Sequence, residues 1–236
     1  MNRENNIKRF EELMGTIDRS GIDGLMNYIQ KSDFYTAPAS TKFHLSCPGG
    51  LLQHSLDVCD ALFERMEYDP DQDKYLYKVA GKTVCVFRPH TLILTSLLHD
   101  ICKTHFYAIE MRNQKVYKPT GSKRDSGGRF DWDQVPVYTV NDQNPYGHGE
   151  KSVMMIEEFM KLTMEERYAI RWHMGLSDCS FAEAQAFNAA CEKYPLVLIL
   201  HTADQEASHF MEDNDDVKEQ YRVTYAPGGF QEAEPI

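Results

Sequence analysis

The stretch LTSLLHDICK, residues 94–103, sets Leu94, Leu97, Leu98 and Ile101 at helical spacing and places His99 and Asp100 side by side among them. A helix this apolar belongs in a core, where imidazole and carboxylate groups are costly unless something satisfies them. Taken alone, such a pair is ordinarily a core histidine hydrogen-bonded to a neighbouring carboxylate. The pattern recurs along the chain. His54 lies in GGLLQHSLDV, again among leucines, and Asp204 lies in LILHTADQEAS, the most apolar helical stretch. His148 stands between two glycines at a helix start in YGHGEKS, and His173 closes a helix in AIRWHMG. Six such groups on five helical segments point to one shared site, because helical bundles build metal centres from inward-facing ligands on several helices. Mixed imidazole and carboxylate ligation suits iron, manganese, zinc, cobalt or nickel rather than calcium.

The chain has 236 residues, enough for one substantial domain. Nothing approaches eighteen consecutive apolar residues, and MNRENNIKRFEEL at the start lacks the apolar stretch of a signal peptide, so a cytoplasmic protein is expected. The six cysteines, at 47, 59, 85, 102, 179 and 191, show no CxxC spacing, which speaks against zinc-finger and disulfide frameworks. The formal charge of −11 argues against broad binding to nucleic-acid backbones. That charge is uneven: Arg112, Lys115, Lys118, Lys123, Arg124 and Arg129 share residues 111–130 with a single acid, Asp125.

Periodicity predicts helices within 4–35, over roughly 50–67 and through 94–103, with a hairpin in KYLYKVAGKTVCVFR between the last two. FYAIEM and KVYKP flank Arg112, Asn113 and Gln114, a plausible hairpin turn; PTGSKRDSGG reads as a loop and FDWDQVPVYTV as an extended segment. Thr163 with Glu166 and Ser180 with Glu183 are capping boxes, so one helix should run from Met164 to about His173 and another should start after Ser180. Pro195 fits a first helical position before LVLILHTADQEASHF. The expected fold is mostly α: a single domain over 1–225, with N-terminal helices at 1–35, a helical core at 44–210, β-rich insertions at about 74–88 and 104–146, and a disordered tail at 226–236.

The order His54, then His99 with Asp100, then Asp204 resembles the defining motif of the HD-domain superfamily of metal-dependent phosphohydrolases. His148 and His173 fall where dinuclear members supply two further histidines. GGLLQHSL and LLHDICK are especially similar to the 3′→5′ exoribonuclease branch, with its GGLLEHSL- and LLHDIGK-like stretches. The resemblance spans residues 44–208 and implies an HD-type helical bundle with small β-hairpin insertions. Cys102 stands where that branch commonly has Gly, a departure expected to change little. No OB-fold pattern precedes the motif, and the 104–146 insertion is long for that branch.

The resemblance implies that Asp100 bridges two ions, with His54, His99 and Asp204 on the first and His148 and His173 on the second. A single ion on the first four residues is the alternative. The cofactor is then one or two divalent ions (Mn, Fe, Zn, Ni, Co or Mg) activating water for attack on phosphorus. Asp100 and Lys103 become the candidate catalytic residues. Lys103, one turn beyond His99, would bind a phosphate oxygen or assist the leaving group; a surface lysine favoured by the helix dipole is its ordinary role. Other candidates for substrate contact are His44, which matches a histidine of the exoribonuclease branch but ordinarily serves in loop hydrogen bonding, and Lys151 near the free amides of its helix start, where a plain N-terminal turn is the alternative. Lys123 and Arg124 join them, with Lys118 and Arg129, as a basic loop drawing anions to the pocket mouth; a solvated hairpin tip is the plain alternative for that loop. His201, one turn before Asp204, would hold the Asp204 carboxylate in place. His90, His105 and His209 have only local roles. The expected activity is hydrolysis of a phosphate ester in a nucleotide-type substrate, without membrane or known oligomeric partner. The alternatives are a 3′→5′ exoribonuclease acting on nucleic-acid ends and a non-catalytic metal- or nucleotide-binding regulator.

Overall fold

The computed structural model describes residues 2–177 and 180–212. The helices begin where the sequence supplies caps. Asn2 caps α1 (Arg3–Met14), and α2 (Ile22–Lys31) follows it. Both capping boxes form, opening α6 (Met164–Arg171) at Thr163 and α7 (Phe181–Lys193) at Ser180. Pro195 precedes α8 (Leu196–Glu206). The double glycine before His54 has a steric cause. Gly49 takes φ +84°, a left-handed conformation that other residues adopt at a cost, and a Cβ on Gly50 would strike the backbone carbonyl of Leu45. This turn launches α3 (Gly50–Glu64), which is buried nearly all round.

Packed against α3 is α4 (Pro89–Leu98), in which every residue from Leu92 onward is buried. Each fully buried leucine there contributes about 1.5–3 kcal/mol, which makes these two helices the centre of the fold. On one side lies a core with Phe10, Leu25, Ile29, Leu52, Leu94 and Ile156, joining α1–α4 to α5 (His148–Glu157). On the other, Val58, Leu62, Leu92, Ala169, Leu200 and Ala203 join α3 and α4 to α6 and α8.

Helices make the larger share, as expected, and the strands gather into small sheets. The fold is mixed, with eight α-helices and two three-stranded sheets among the described residues. The first sheet orders β1 (Met66–Asp69), β2 (Lys74–Val79) and β3 (Lys82–Phe87) side by side. The expected helix over 50–67 therefore stops at Glu64, because Met66 to Asp69 pair with Lys74 to Tyr77 and Tyr75 rests against Phe63 and Tyr68. The second sheet has β6 (Gly128–Val140) at its centre, between β4 (Tyr107–Tyr117) and β5 (Lys123–Asp125). The turn expected at 112–114 does not form. Arg112, Asn113 and Gln114 stay in register opposite Val135, Gln134 and Asp133, with no glycine among them to take the positive φ of a tight turn. The reversals lie further on, at Gly121 and before Gly128, whose φ is +124°.

The helix predicted through 94–103 also ends early, at Leu98. The His99 ring donates from Nδ1 to the Ser96 carbonyl at 2.7 Å, the acceptor that the next amide needs to extend the helix. Asp100 leaves helical geometry at φ −110°, and a single 3₁₀ turn (Ile101–Lys103) follows. The tail read as disordered over 226–236 lies outside the described residues. Among those described, no helix is long and apolar enough to cross a membrane.

Candidate metal centre

Five predicted ligands meet where α3, the end of α4, the end of α6 and α8 converge. His54 Nε2 lies 3.1 Å from His99 Nε2, 3.3 Å from Asp204 Oδ1 and 3.5 Å from Asp100 Oδ2. His99 Nε2 is 3.5 Å from Asp100 Oδ2, and His173 Nε2 is 3.3 Å from Asp100 Oδ1. All five are buried, Asp204 the least so at 6% exposure. Two donors about 2.0–2.2 Å from a shared ion stand about 2.8–3.8 Å apart at angles of about 90–120°, a range that these spacings share with hydrogen-bonded pairs, so the five side chains could hold a cation.

The donor chemistry agrees. His99 Nδ1 donates to the Ser96 carbonyl and His173 Nδ1 to the Ile170 carbonyl, both at 2.7 Å. His54 Nδ1 donates to Glu212 Oε1 at 2.6 Å. In the neutral ring each Nε2 then carries a lone pair, and the three lone pairs face two carboxylates. Lone pairs and carboxylate oxygens gathered this closely are stabilised by a cation among them, a role that the Lys103 ammonium already fills at Asp100 Oδ2. His173 Nε2 and Asp100 Oδ1 are fully buried and 3.3 Å apart, and neither has a directed hydrogen bond among the described residues. The residues present therefore fit a divalent ion.

The electrostatics describe the same cluster. Burial alone would lower the His54 pKa, but Asp204 and Glu212 outweigh it and lift it to about 10. Burial dominates at His99 and lowers its pKa; at His173 burial is overcome by Asp100 and Asp204, and the pKa rises. Burial would raise both aspartates. Lys103, His99 and His173 instead hold Asp100 well below its usual range, and His54 does the same for Asp204.

Lys103 is no surface lysine. It is 8% exposed, and its ammonium lies 2.5 Å from Asp100 Oδ2, which raises its pKa against the opposing effect of burial. His148 opens α5 as expected but stands one step aside. It is half-buried, its Nδ1 is 3.3 Å from Cys102 Sγ, and its ring packs against Phe106. Gly149 permits this placement, since a Cβ there would strike the backbone of Arg171 close to His173. The ligand atoms of Asp100, Cys102 and His148 lie within 4.8 Å of one another, so Asp100 is common to both groupings. His173, assigned by resemblance to the second ion, also groups with His99 and Asp204.

The other candidates are more scattered. His201 does not hold Asp204: its Nδ1 donates to the His173 backbone carbonyl at 2.6 Å, which supports the turn after α6. His44 bonds through Nδ1 to Glu212, and Glu212 holds His54. Lys151 is buried, with its ammonium 2.5 Å from Asp142 and 5.2 Å from the centre of the Phe106 ring. It also borders a cleft of about 310 Å³ shared with Tyr28, Thr104 and Tyr146. Lys123 and Arg124 are exposed on β5, beyond a strand of eleven residues that spans up to about 35 Å. Lys118 is spent on Asp131 and Asp133, and Arg129 donates to the Gly121 carbonyl. No described bond joins these four basic residues to the cluster.

Glu212 is the functional residue that sequence reasoning missed. It is 1% exposed, and His44 and His54 bring its pKa down to about 2 despite burial. It follows the π-helical turn Ala207–Met211 that ends α8, where the helical period breaks and no spacing rule reaches. Cys102 was visible in the sequence, but no spacing marked it as a neighbour of His148. No family model, curated protein or solved structure matches the chain, so the case for the centre rests on its own geometry and chemistry.

Proposed function

We propose that the protein is a metal-dependent phosphohydrolase of the HD-domain type, cleaving a phosphate ester of a nucleotide-type substrate. The observation that carries this reading is the buried set of acceptors from His54, His99, Asp100, His173 and Asp204, in the motif order of that superfamily. These residues would hold the ion, and Asp100, shared with the His148 group, is the natural bridge to a second. A divalent ion bound there supplies Lewis acidity, activating water and offsetting charge on phosphate oxygens. The backbone bonds at Nδ1 of His99 and His173 fix both rings before any ligand arrives, as the carboxylate of Glu212 does for His54. Lys103 keeps a permanent positive charge at Asp100, available to a phosphate oxygen. The half-buried His148 is the most open of the histidines that ring the two groupings.

Near-complete closure of the five-residue cluster favours one rival, because structural metal sites are closed while catalytic ones keep a position open. On that reading the chain binds metal without turnover. The discriminating experiment loads the metal-depleted chain with manganese, cobalt or zinc and screens nucleotides, cyclic dinucleotides and short RNAs. Metal-dependent phosphate release from nucleotides, abolished in Asp100→Asn, is the expected result. Mononucleotides released stepwise from RNA ends would make the protein an exoribonuclease instead. Stoichiometric metal with no turnover on any substrate would leave the binding reading.

A further inference from the structure

We infer that Cys102 is a metal ligand: its thiolate, with His148 and Asp100, forms a second cation position that prefers zinc or cobalt(II) to magnesium or manganese. The inference rests on the reading of the first cluster as a metal centre, which it extends by one ligand of different chemistry.

Four observations support it. Cys102 is fully buried, and its sulfur faces His148 Nδ1 at 3.3 Å. A zinc-like ion about 2.3 Å from sulfur and about 2.0–2.1 Å from nitrogen sets those atoms about 3.1–3.8 Å apart at angles of about 90–120°. The ligand atoms of Cys102, His148 and Asp100 are mutually within 4.8 Å, close enough to share an ion after small side-chain rotations. Asp100 also has an oxygen to give. Its Oδ2 takes the Lys103 ammonium at 2.5 Å, whereas Oδ1 is fully buried, 3.3 Å from His173 Nε2, and has no directed hydrogen bond among the described residues. Finally, the sulfur is held in place from the backbone: the amide of Cys102 donates to Ser152 Oγ at 3.3 Å, tying the 3₁₀ turn to α5, the helix that begins with His148.

The plain alternative is a thiol donating to the imidazole, which has the same spacing and no metal. The two differ in what metal does. A thiolate ligand is soft and draws zinc, cobalt and iron(II), whereas magnesium and manganese favour oxygen ligands. Binding through sulfur also gives cobalt(II) an intense near-ultraviolet charge-transfer band that nitrogen and oxygen ligands do not give.

The test titrates the metal-depleted full chain with cobalt(II), following absorption and bound metal by elemental analysis. Two equivalents per chain are expected, with the charge-transfer band growing in with one of them. Cys102→Ser should lose the band and bind that equivalent at least about tenfold more weakly, while the other equivalent stays. His148→Ala alters a half-buried residue and serves as the second variant if Cys102→Ser folds poorly; it too should lose the band. Cobalt bound by the wild-type chain without the band, or a band surviving in Cys102→Ser, would overturn the inference and leave the first metal centre standing. Failure to bind cobalt at all would overturn both.

Discussion

Replacing Glu166 with Gln should destabilise the fold by about 2–4 kcal/mol, although the side chain keeps its size. Glu166 is fully buried at the start of α6 and receives only donors: Arg19 Nη1 at 2.8 Å and Thr91 Oγ1 at 3.0 Å on one oxygen, the Thr163 amide at 2.8 Å on the other. It thereby ties the loop after α1, the start of α4 and the start of α6, two of which lead to metal-site residues. A glutamine must turn its NH₂ toward either the Thr163 amide or the Arg19 guanidinium, so a donor meets a donor both ways. An orphaned buried donor costs about 1–3 kcal/mol, and exchanging a charge-assisted bond for a neutral one costs about 1 kcal/mol more. Arg19 limits the loss, since its other nitrogen keeps the Lys161 carbonyl at 2.6 Å. For a chain of this size the change lowers Tm by about 5–15 °C. Urea and thermal unfolding of the two proteins measure it directly. A loss below about 0.5 kcal/mol would refute the claim that this carboxylate organises three elements.

Three further outcomes are expected. Glu212→Gln keeps the shape but weakens the partner of His54 Nδ1, so metal affinity should fall about 10–100-fold in a chelator competition; unchanged affinity would leave Glu212 a strut. Burial, reinforced by Glu212 and opposed by the bond from Gln53, pushes the Asp57 pKa from 3.8 up to about 6. The folded state therefore favours the protonated acid, so this contribution is present below about pH 4 and lost as pH rises through about 6. Asp57→Asn should flatten that slope and be more stable at pH 7 by on the order of 1 kcal/mol after allowance for solvent screening, as urea melts at pH 5 and 7 would show. Lys103→Gln should retain metal by elemental analysis while kcat on a phosphate ester falls about 10²–10³-fold, and wild-type turnover would confine Lys103 to neutralising Asp100.

Much of the site was legible because its ligands are polar groups in apolar helical sequence, where periodicity and burial cost are both readable. His54, His99, Asp100, His173 and Asp204 converge for that reason. The capping boxes at Thr163 and Ser180 were legible too, since each is complete within four residues. What escaped depends on contacts between distant segments or on broken periods. The end of α4 is set by the His99 ring competing for a carbonyl, Glu212 arrives through a π turn, and His201 turns to a neighbouring backbone rather than along its own helix. Strand β4 looked like two strands because three consecutive polar residues resemble a turn until the partner strand is known. Cys102, expected to matter little, gains its interest only from the position of His148.

The most direct measurement of the central claim is anomalous diffraction from crystals of the metal-loaded chain, collected at the absorption edge of the added zinc. The account predicts a strong peak enclosed by His54, His99, Asp100, His173 and Asp204, about 2.0–2.2 Å from Nε2 of the bound rings. No peak there, with His54 Nε2 still 3.1 Å from His99 Nε2 and 3.3 Å from Asp204 Oδ1, would contradict it.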